Sequence, residues 1–295
     1  VKSGPPASCK YLFSRYSMKK FLGFVLALAT LFSVGTVATA CAPSDAIIVQ
    51  TNAFFAPFEY YDGTEIVGVD VDIMEKVGEK LGKEVVFQVG DFAIIIDVVS
   101  QGTMADAGAA GITITDERKE KVDFSIPYYT SVQYVIWEEG NEDFATSEAA
   151  DGTDIVLWEQ LRGKKIGVQL DTTGMIYVDG EIEGVDFDGV LKDSGAECKP
   201  YDNAQMAVEA MFGSDALDCV VVDQLPAQYL AENVKNHDLQ CDAHYYDAET
   251  ETEEQYAICV TPGNTELLNA INEVLEEMIE SGEIEALVSK HLGLE

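Results

Sequence analysis

Basic residues are scarce in this chain. Its 295 residues hold 18 Lys and Arg against 53 Asp and Glu, a formal net charge of −35. That balance argues against nucleic acid as a partner, because phosphates demand a basic face. It argues equally against adhesion to anionic lipid through a polybasic patch. A strongly acidic surface keeps a protein soluble and self-repelling, but it names no ligand. Histidine is scarcer still. The three, His237, His244 and His291, are scattered and point to no shared role. The six cysteines include no CxxC pair and the three histidines no H-x3–5-H pair, so neither a metal site nor a cofactor is expected. Cys198, Cys219, Cys241 and Cys259 are widely spaced, and two readings stay open: disulfides in an exported protein, or buried thiols on strands.

What is present begins with a leader. "MKKFLGFVLALATLFSVGTVATAC" starts at Met18 with two lysines, runs on through uncharged residues and ends in small residues before Cys41. That is the layout of a secretory signal. Val1 to Ser17 carry no targeting logic and are expected to be upstream sequence, with Met18 the true start. The ending "ATAC" resembles a lipobox, with Ala38 where a Leu is usual, which makes Cys41 the candidate for lipidation. Ordinary cleavage after Ala40 and an uncleaved anchor helix are the alternatives. The first 41 residues hold five basic residues and no acid, so a chain starting at Cys41 would carry −40 rather than −35. A lipid anchor would hold such a globule at a membrane its own charge would not seek.

The rest is long enough for two modest domains and, at 47% hydrophobic, for a sizeable core. "AIIVQT" reads as a buried strand, and "FEYYDGTEIVGVD" as a hairpin turning at Asp62-Gly63. Val69, Ile73, Val77 and Leu81 mark one helix face ended by Gly82. "KEVVFQV" is a strand, "FAIIIDVVSQG" a helix and "ADAGAAGITI" a strand. The alternation restarts with "SVQYVIWEE" as a strand, an acidic loop, "IVLWEQLRG" as a helix and "KKIGVQL" as a strand. "TTGMIYV" opens a helix, "AECKPYD" is a strand and "NAQMAVEAMFGS" a helix. "LDCVVVD" is apolar enough for burial on both faces, and "LPAQYLAENV" follows as a helix. "QYAICVT" is a further strand, and the chain closes on helix broken around Gly282. Alternating strand and helix imply α/β layers with parallel pairing.

Four stretches carry candidate chemistry. In "GITIT", Thr113 and Thr115 fall on one strand face, Thr115 caps a helix start, and Arg118 follows. Hydroxyls, free amides and a guanidinium suit a small carboxylate; alternatively, Arg118 pairs with its acidic neighbours on a solvated face. "TNAFFAPFEYY" clusters aromatics that could wall a ligand side chain or simply pack the core. "GVQLDTTG" ends a strand in hydroxyls, where open α/β sheets place ligands, and Thr172 or Thr173 could equally be a cap. Asp223 closes the apolar strand and could accept from an ammonium group or cap the next helix. Together one Arg, one Asp, aromatic walls and threonines complement a free α-amino acid.

From about Ala46 to Gly293 the chain resembles the extracytoplasmic amino-acid-binding proteins that serve ABC importers, the polar amino acid group called family 3. "TNAFFAPFEYYDGTEIVGVDVDIMEKVGEKLG", "GITITDERKEKVDFSIPYY", "KKIGVQLDTTG" and "CVVVDQLPA" carry the likeness. The resemblance implies an α/β, two-lobed periplasmic-binding-protein type II fold with two hinge crossovers. Residues 45–130 and 253–295 would form lobe 1 and residues 131–252 lobe 2, after a leader of 1–41. It implies that Arg118 clamps the α-carboxylate with Thr113 and the backbone near Thr173, while Asp223 and the Gly111 carbonyl take the α-ammonium. Phe55 and Phe92 would sandwich the side chain, and Asn52, Gln169 and Thr172 would complete the ligand shell. Three departures bear on the substrate: Asp171 where a Gly is common, Gln169 at a side-chain contact, and Asn52 where several members carry an Asp that meets a cationic or amide side chain, a change that argues against a Lys/Arg/His-only substrate.

The implied function is capture of a polar L-amino acid and delivery to an ABC permease and ATPase, by a monomer anchored through lipid outside the cytoplasm and not acting as an enzyme. The alternative is an exported cyclohexadienyl dehydratase of related fold. It would use the same Arg and would need a general acid, for which Glu59 and Asp171 are the candidates.

Overall fold

The computed structural model describes residues 45–294 apart from 145–146, 185–186, 215 and 248. The leader, with Cys9 and the lipidation candidate Cys41, lies outside the described residues. Strand β1 (Ile47–Thr51) comes first, with Val49 fully buried. Strands β2 (Phe54–Phe55), β3 (Glu59–Asp62) and β4 (Glu65–Val67) form a small antiparallel sheet that turns at Asp62-Gly63. Helix α1 (Val69–Leu81) buries Val69, Ile73 and Val77 completely on one face. Each such aliphatic side chain contributes about 1.5–3 kcal/mol when withdrawn from water. The first run ends with β5 (Val85–Val89), α2 (Ile95–Gln101), β6 (Ala107–Gly108), α3 (Asp116–Lys119) and β7 (Asp123–Phe124). As the alternation demands, β1 pairs in parallel with both β5 and β6.

The second run holds β8 (Tyr129–Glu138), β9 (Ser147–Glu148), β10 (Asp154–Leu157), β11 (Lys165–Gln169) and α4 (Thr173–Glu183). It continues with β12 (Glu197–Tyr201), α5 (Ala204–Ala210), β13 (Cys219–Asp223), α6 (Gln224–Asn233) and β14 (Leu239–Asp247). These strands build a nine-stranded sheet in the order β12-β11-β13-β8-β14-β10-β9. Strand β15 (Thr250–Glu251) joins it on β14, and β16 (Glu253–Tyr256) on β8. The chain then returns to the first sheet. Strand β17 (Cys259–Val260) inserts between β6 and β7, giving the order β5-β1-β6-β17-β7. Helices α7 (Thr265–Ser281) and α8 (Glu283–His291), parted at Gly282, pack against α1. The chain thus passes twice between the sheets, from β7 to β8 and from β16 to β17. This is the two-lobed α/β architecture with two crossovers.

Several sequence expectations need correction. Residues 155–163 are not a helix: Ile155 and Val156 lie in β10, parallel to β14, and only a short 3-10 turn, Trp158–Leu161, follows. Strand β14 has no counterpart in the sequence reading. The expected strand 105–114 is only β6, because Gly111 turns the backbone to φ +54° and Thr113 makes a lone bridge to Tyr256. The expected strand 255–261 splits at Ala257 into β16 and β17, which serve different sheets. Pairing in the large sheet is mixed, since β8 runs antiparallel to both β13 and β14. The four late cysteines are free thiols on strands β12, β13, β14 and β17.

Candidate functional site

The segment from Gly111 to Arg118 is built by capping and by the second crossing. Ile114 N–H donates to the Gln255 carbonyl at 2.9 Å, and Ala257 N–H to the Ile112 carbonyl at 3.0 Å. Thr115 caps α3 as expected, its hydroxyl accepting from Arg118 N–H at 3.1 Å. The solvated-face reading of Arg118 fails. The exposed Asp116 and Glu117 pair with Lys119 and Lys121, while Arg118 turns inward and is only 8% exposed. Its guanidinium lies 5.4 Å from the centre of the Phe92 ring. Nη1 donates to the Thr113 carbonyl at 2.8 Å, and Nη2 to the Asp171 carbonyl, also at 2.8 Å. Burial lowers the Arg118 pKa, and the charges of Glu254, Asp223 and Asp171 oppose that shift.

Beside Arg118 a cavity opens between elements of the two sheets. Asn52, Phe55, Phe92, Gly111 and Thr113 line it from one side, with Gln169, Thr172, Thr173 and Asp223 from the other. Nine of the ten expected ligand-shell residues therefore meet in one place. The tenth, Arg118, stands at its edge, facing an outer groove shared with Phe92 and Asp171. The enclosed space is about 10 Å³ for the centre of a water molecule, room for about one water. The two sides touch directly: Thr173 Oγ1 donates to Thr113 Oγ1 at 2.9 Å, and Gln169 Nε2 to Asn52 Oδ1 at 3.4 Å. Asn52 Nδ2 is held by the Gly90 carbonyl at 2.9 Å. Thr172 is the cap of α4, accepting from Met175 N–H.

The acids around this cavity are its most unusual feature. Glu59 also lines it, is fully buried, and neither carboxylate oxygen has a partner among the described residues. Burial, reinforced by the charges of Asp70 and Asp223, pushes its carboxyl well above the usual range. Asp223 does not cap α6 through its side chain; Gln133 Nε2 donates to its Oδ1 at 2.8 Å. Burial, then the neighbouring Glu254, raise the Asp223 carboxyl well above its ordinary value. Asp70 is held by the Gly111 N–H at 2.9 Å and the Tyr128 hydroxyl at 2.5 Å. Burial still lifts its carboxyl to about 6. Sequence reasoning missed Glu254 and Gln133 and met Glu59 only as a possible general acid. The one local signal for Gln133 is a polar residue at the centre of an apolar strand. Asp171, the departure from glycine, sits at φ +60°, a left-handed conformation that Asp tolerates better than most residues. Its side chain is exposed, and its backbone carbonyl serves Arg118.

The cavity thus sets an arginine at its edge beside two buried acids, Asp223 and the unpartnered Glu59. Residues 47–294 match the family model of bacterial extracellular solute-binding proteins, family 3. The chain belongs to this family. Among its relatives is the arginine-binding extracellular protein ArtP of Bacillus subtilis (strain 168), 28% identical over 281 residues, covering 92% of this chain and 98% of that one. A solved ancestral arginine-binding protein bound to arginine is 34% identical, with a TM-score of 0.68, covering 83% of this chain and 97% of its own. A second ancestral arginine-binding structure, bound to glutamine, is 32% identical with a TM-score of 0.69, covering 85% and 99%. Family membership and these neighbours support a binding role for the cavity. They give no support to the dehydratase alternative. No helix among the described residues is long and apolar enough to cross a membrane.

Proposed function

We propose that this chain is the substrate-binding protein of an amino-acid ABC importer and that it captures a cationic L-amino acid of the arginine type. The observation that carries the substrate class is the Glu59 carboxylate, buried without a partner in the same cavity as Asp223. Arg118 offers one cation for an α-carboxylate. Asp223 offers a carboxyl that an α-ammonium would draw into its ionised form, and Glu59 a second that a cationic side chain would. Leaving a buried carboxylate unpaired is costly, and a guanidinium would satisfy both of its oxygens at once. Relatives that bind arginine or histidine by name support the same class.

In this reading Arg118, Thr113 and the Thr173 backbone hold the carboxylate, while Asp223 and the Gly111 carbonyl hold the ammonium. Phe55 and Phe92 flank the side chain, and Asn52, Gln169 and Thr172 close the shell. Lobe 1 comprises 45–130 and 253–295, and lobe 2 comprises 131–252. The protein works as a monomer, tethered through a lipidated Cys41 beside the permease and ATPase that take its cargo. The fit of the site is of sufficient size: micromolar affinity needs about 8 kcal/mol, and charge-assisted hydrogen bonds net about 1.5–3 kcal/mol each.

The test is a thermal-shift screen of residues 42–295 against the twenty amino acids, ornithine and cystine. Ligand at a hundredfold excess over Kd adds about 2.7 kcal/mol. A rise with arginine, ornithine or lysine supports the reading. A rise confined to neutral or acidic amino acids overturns the cationic class, and no rise at all overturns amino-acid capture.

A further inference from the structure

Behind the cavity lies a relay that the site description leaves without a purpose. Glu254 is 5% exposed and does not line the cavity. Its Oε2 accepts from the Thr113 hydroxyl at 2.5 Å, and its Oε1 accepts from Gln133 Nε2. The same Nε2 donates to Asp223 Oδ1 at 2.8 Å. One amide NH₂ therefore bridges two buried carboxyl groups, a job only its nitrogen end can do. The bridge is fixed by strand pairing. Gln133 lies opposite Asp223 in the β8–β13 register, and Glu254 lies opposite Ser131 on the other edge of β8. Room for it comes from Gly174, where a Cβ would stand 2.7 Å from Gln133 Oε1.

The relay decides what Thr113 can do. A hydroxyl has one proton, and Glu254 holds it. Thr113 Oγ1 can then only accept, and it does so from Thr173. It has one lone pair left for a ligand and no proton for a carboxylate.

We propose that Glu254 is the positioning residue of the α-amine subsite. It orients the Thr113 hydroxyl as an acceptor and, through Gln133, holds Asp223 toward the ligand's ammonium. This rests on the amino-acid reading above; the Thr113 hydroxyl then serves the ammonium, and what Thr113 gives the carboxylate is its backbone N–H.

The test is calorimetry with L-arginine and with 5-guanidinopentanoate, which is identical except for the missing α-amine. Wild type, Glu254→Gln and Glu254→Asp are compared, with a melt of each unliganded protein. Wild type should prefer L-arginine. Glu254→Gln should lose about tenfold or more in L-arginine affinity, the scale of a charge-assisted contact, with the analogue changed less than about threefold. Glu254→Asp should fall between. A loss shared equally by both ligands marks a merely structural residue and overturns the proposal, as does unchanged preference in both variants. Should Glu254→Gln fail to fold, Glu254→Asp decides: wild-type preference for the amine there overturns it. If wild type binds neither ligand, the cationic amino-acid reading falls first and this inference with it. If wild type binds both and only the variants disappoint, this inference alone falls.

Discussion

The Arg118 guanidinium donates to the Asp171 carbonyl at 2.8 Å, joining helix α3 to the turn after β11. The guanidinium is satisfied by backbone oxygens from both sides, Thr113 and Asp171. A buried guanidinium would otherwise lack acceptors. Under the proposed function a ligand carboxylate would compete with a carbonyl for the same nitrogen, and the exchange would replace a neutral acceptor by a charged one.

Arg118→Ala should abolish measurable binding, a loss of at least about a hundredfold from two or more charge-assisted bonds. The unliganded protein should stay folded, with a melting temperature lower by a few degrees, about the cost of one or two backbone-directed bonds. Calorimetry and a thermal melt check both parts. Unfolding of the variant at room temperature would mark Arg118 as structural.

Glu59→Gln separates stability from function. An unpartnered buried carboxyl is a liability, so the variant should be as stable as wild type or more stable by about 1 kcal/mol. Its affinity for L-arginine should drop about tenfold or more, while L-glutamine is little affected. Urea melts and paired titrations read this out. A loss of stability with arginine affinity intact would contradict the assignment.

Gly111→Ala should damage both fold and site. Its φ of +54° is left-handed, and a Cβ there would stand 2.8 Å from Phe55 Cε1. Alanine in that conformation costs about 1–2 kcal/mol, and the displaced ring would press into the cavity. Denaturant unfolding should show the loss, and binding should weaken with it.

His244 offers a pH test away from the site. Burial holds its pKa at about 4, against an ordinary value of 6.5, while Nδ1 donates to the Val156 carbonyl at 2.9 Å. The unfolded chain takes up this proton below pH 6.5 and the folded chain only near 4. Stability from this residue is therefore lost as pH falls through that window, by about 3 kcal/mol in all. In His244→Phe the stability difference between pH 7 and pH 4.5 should be smaller than in wild type by most of that amount. Identical pH slopes would show that His244 is not held neutral.

The elements set by local chemistry were legible in the sequence. The apolar stripe of α1 and the Thr115 cap before Arg118 needed only spacing and side-chain type. So did the all-apolar β13 ending at Asp223. What escaped was set by partners distant in the chain. Gln133 meets Asp223 across 90 residues and Glu254 across 121, and no local pattern encodes a register. Strand β14 escaped because Gln240 and Asp242 interrupt its apolar residues. Without that partner, residues 155–157 had no strand to lie beside and read as helix. Family likeness supplied Asn52, Phe92 and Gln169, which composition and spacing would have left as ordinary cleft-side residues.

The place of β17 has a consequence for how the molecule comes into being. It is neither an edge strand nor a late addition to one, since β6 and β7 both hydrogen-bond to it. A ribosome that has made everything through Tyr256 has therefore made a protein whose first sheet still has a gap in its middle. Strand β17, which follows every strand of the second sheet in the chain, fills it. The first sheet therefore cannot be completed until every strand of the second has been made.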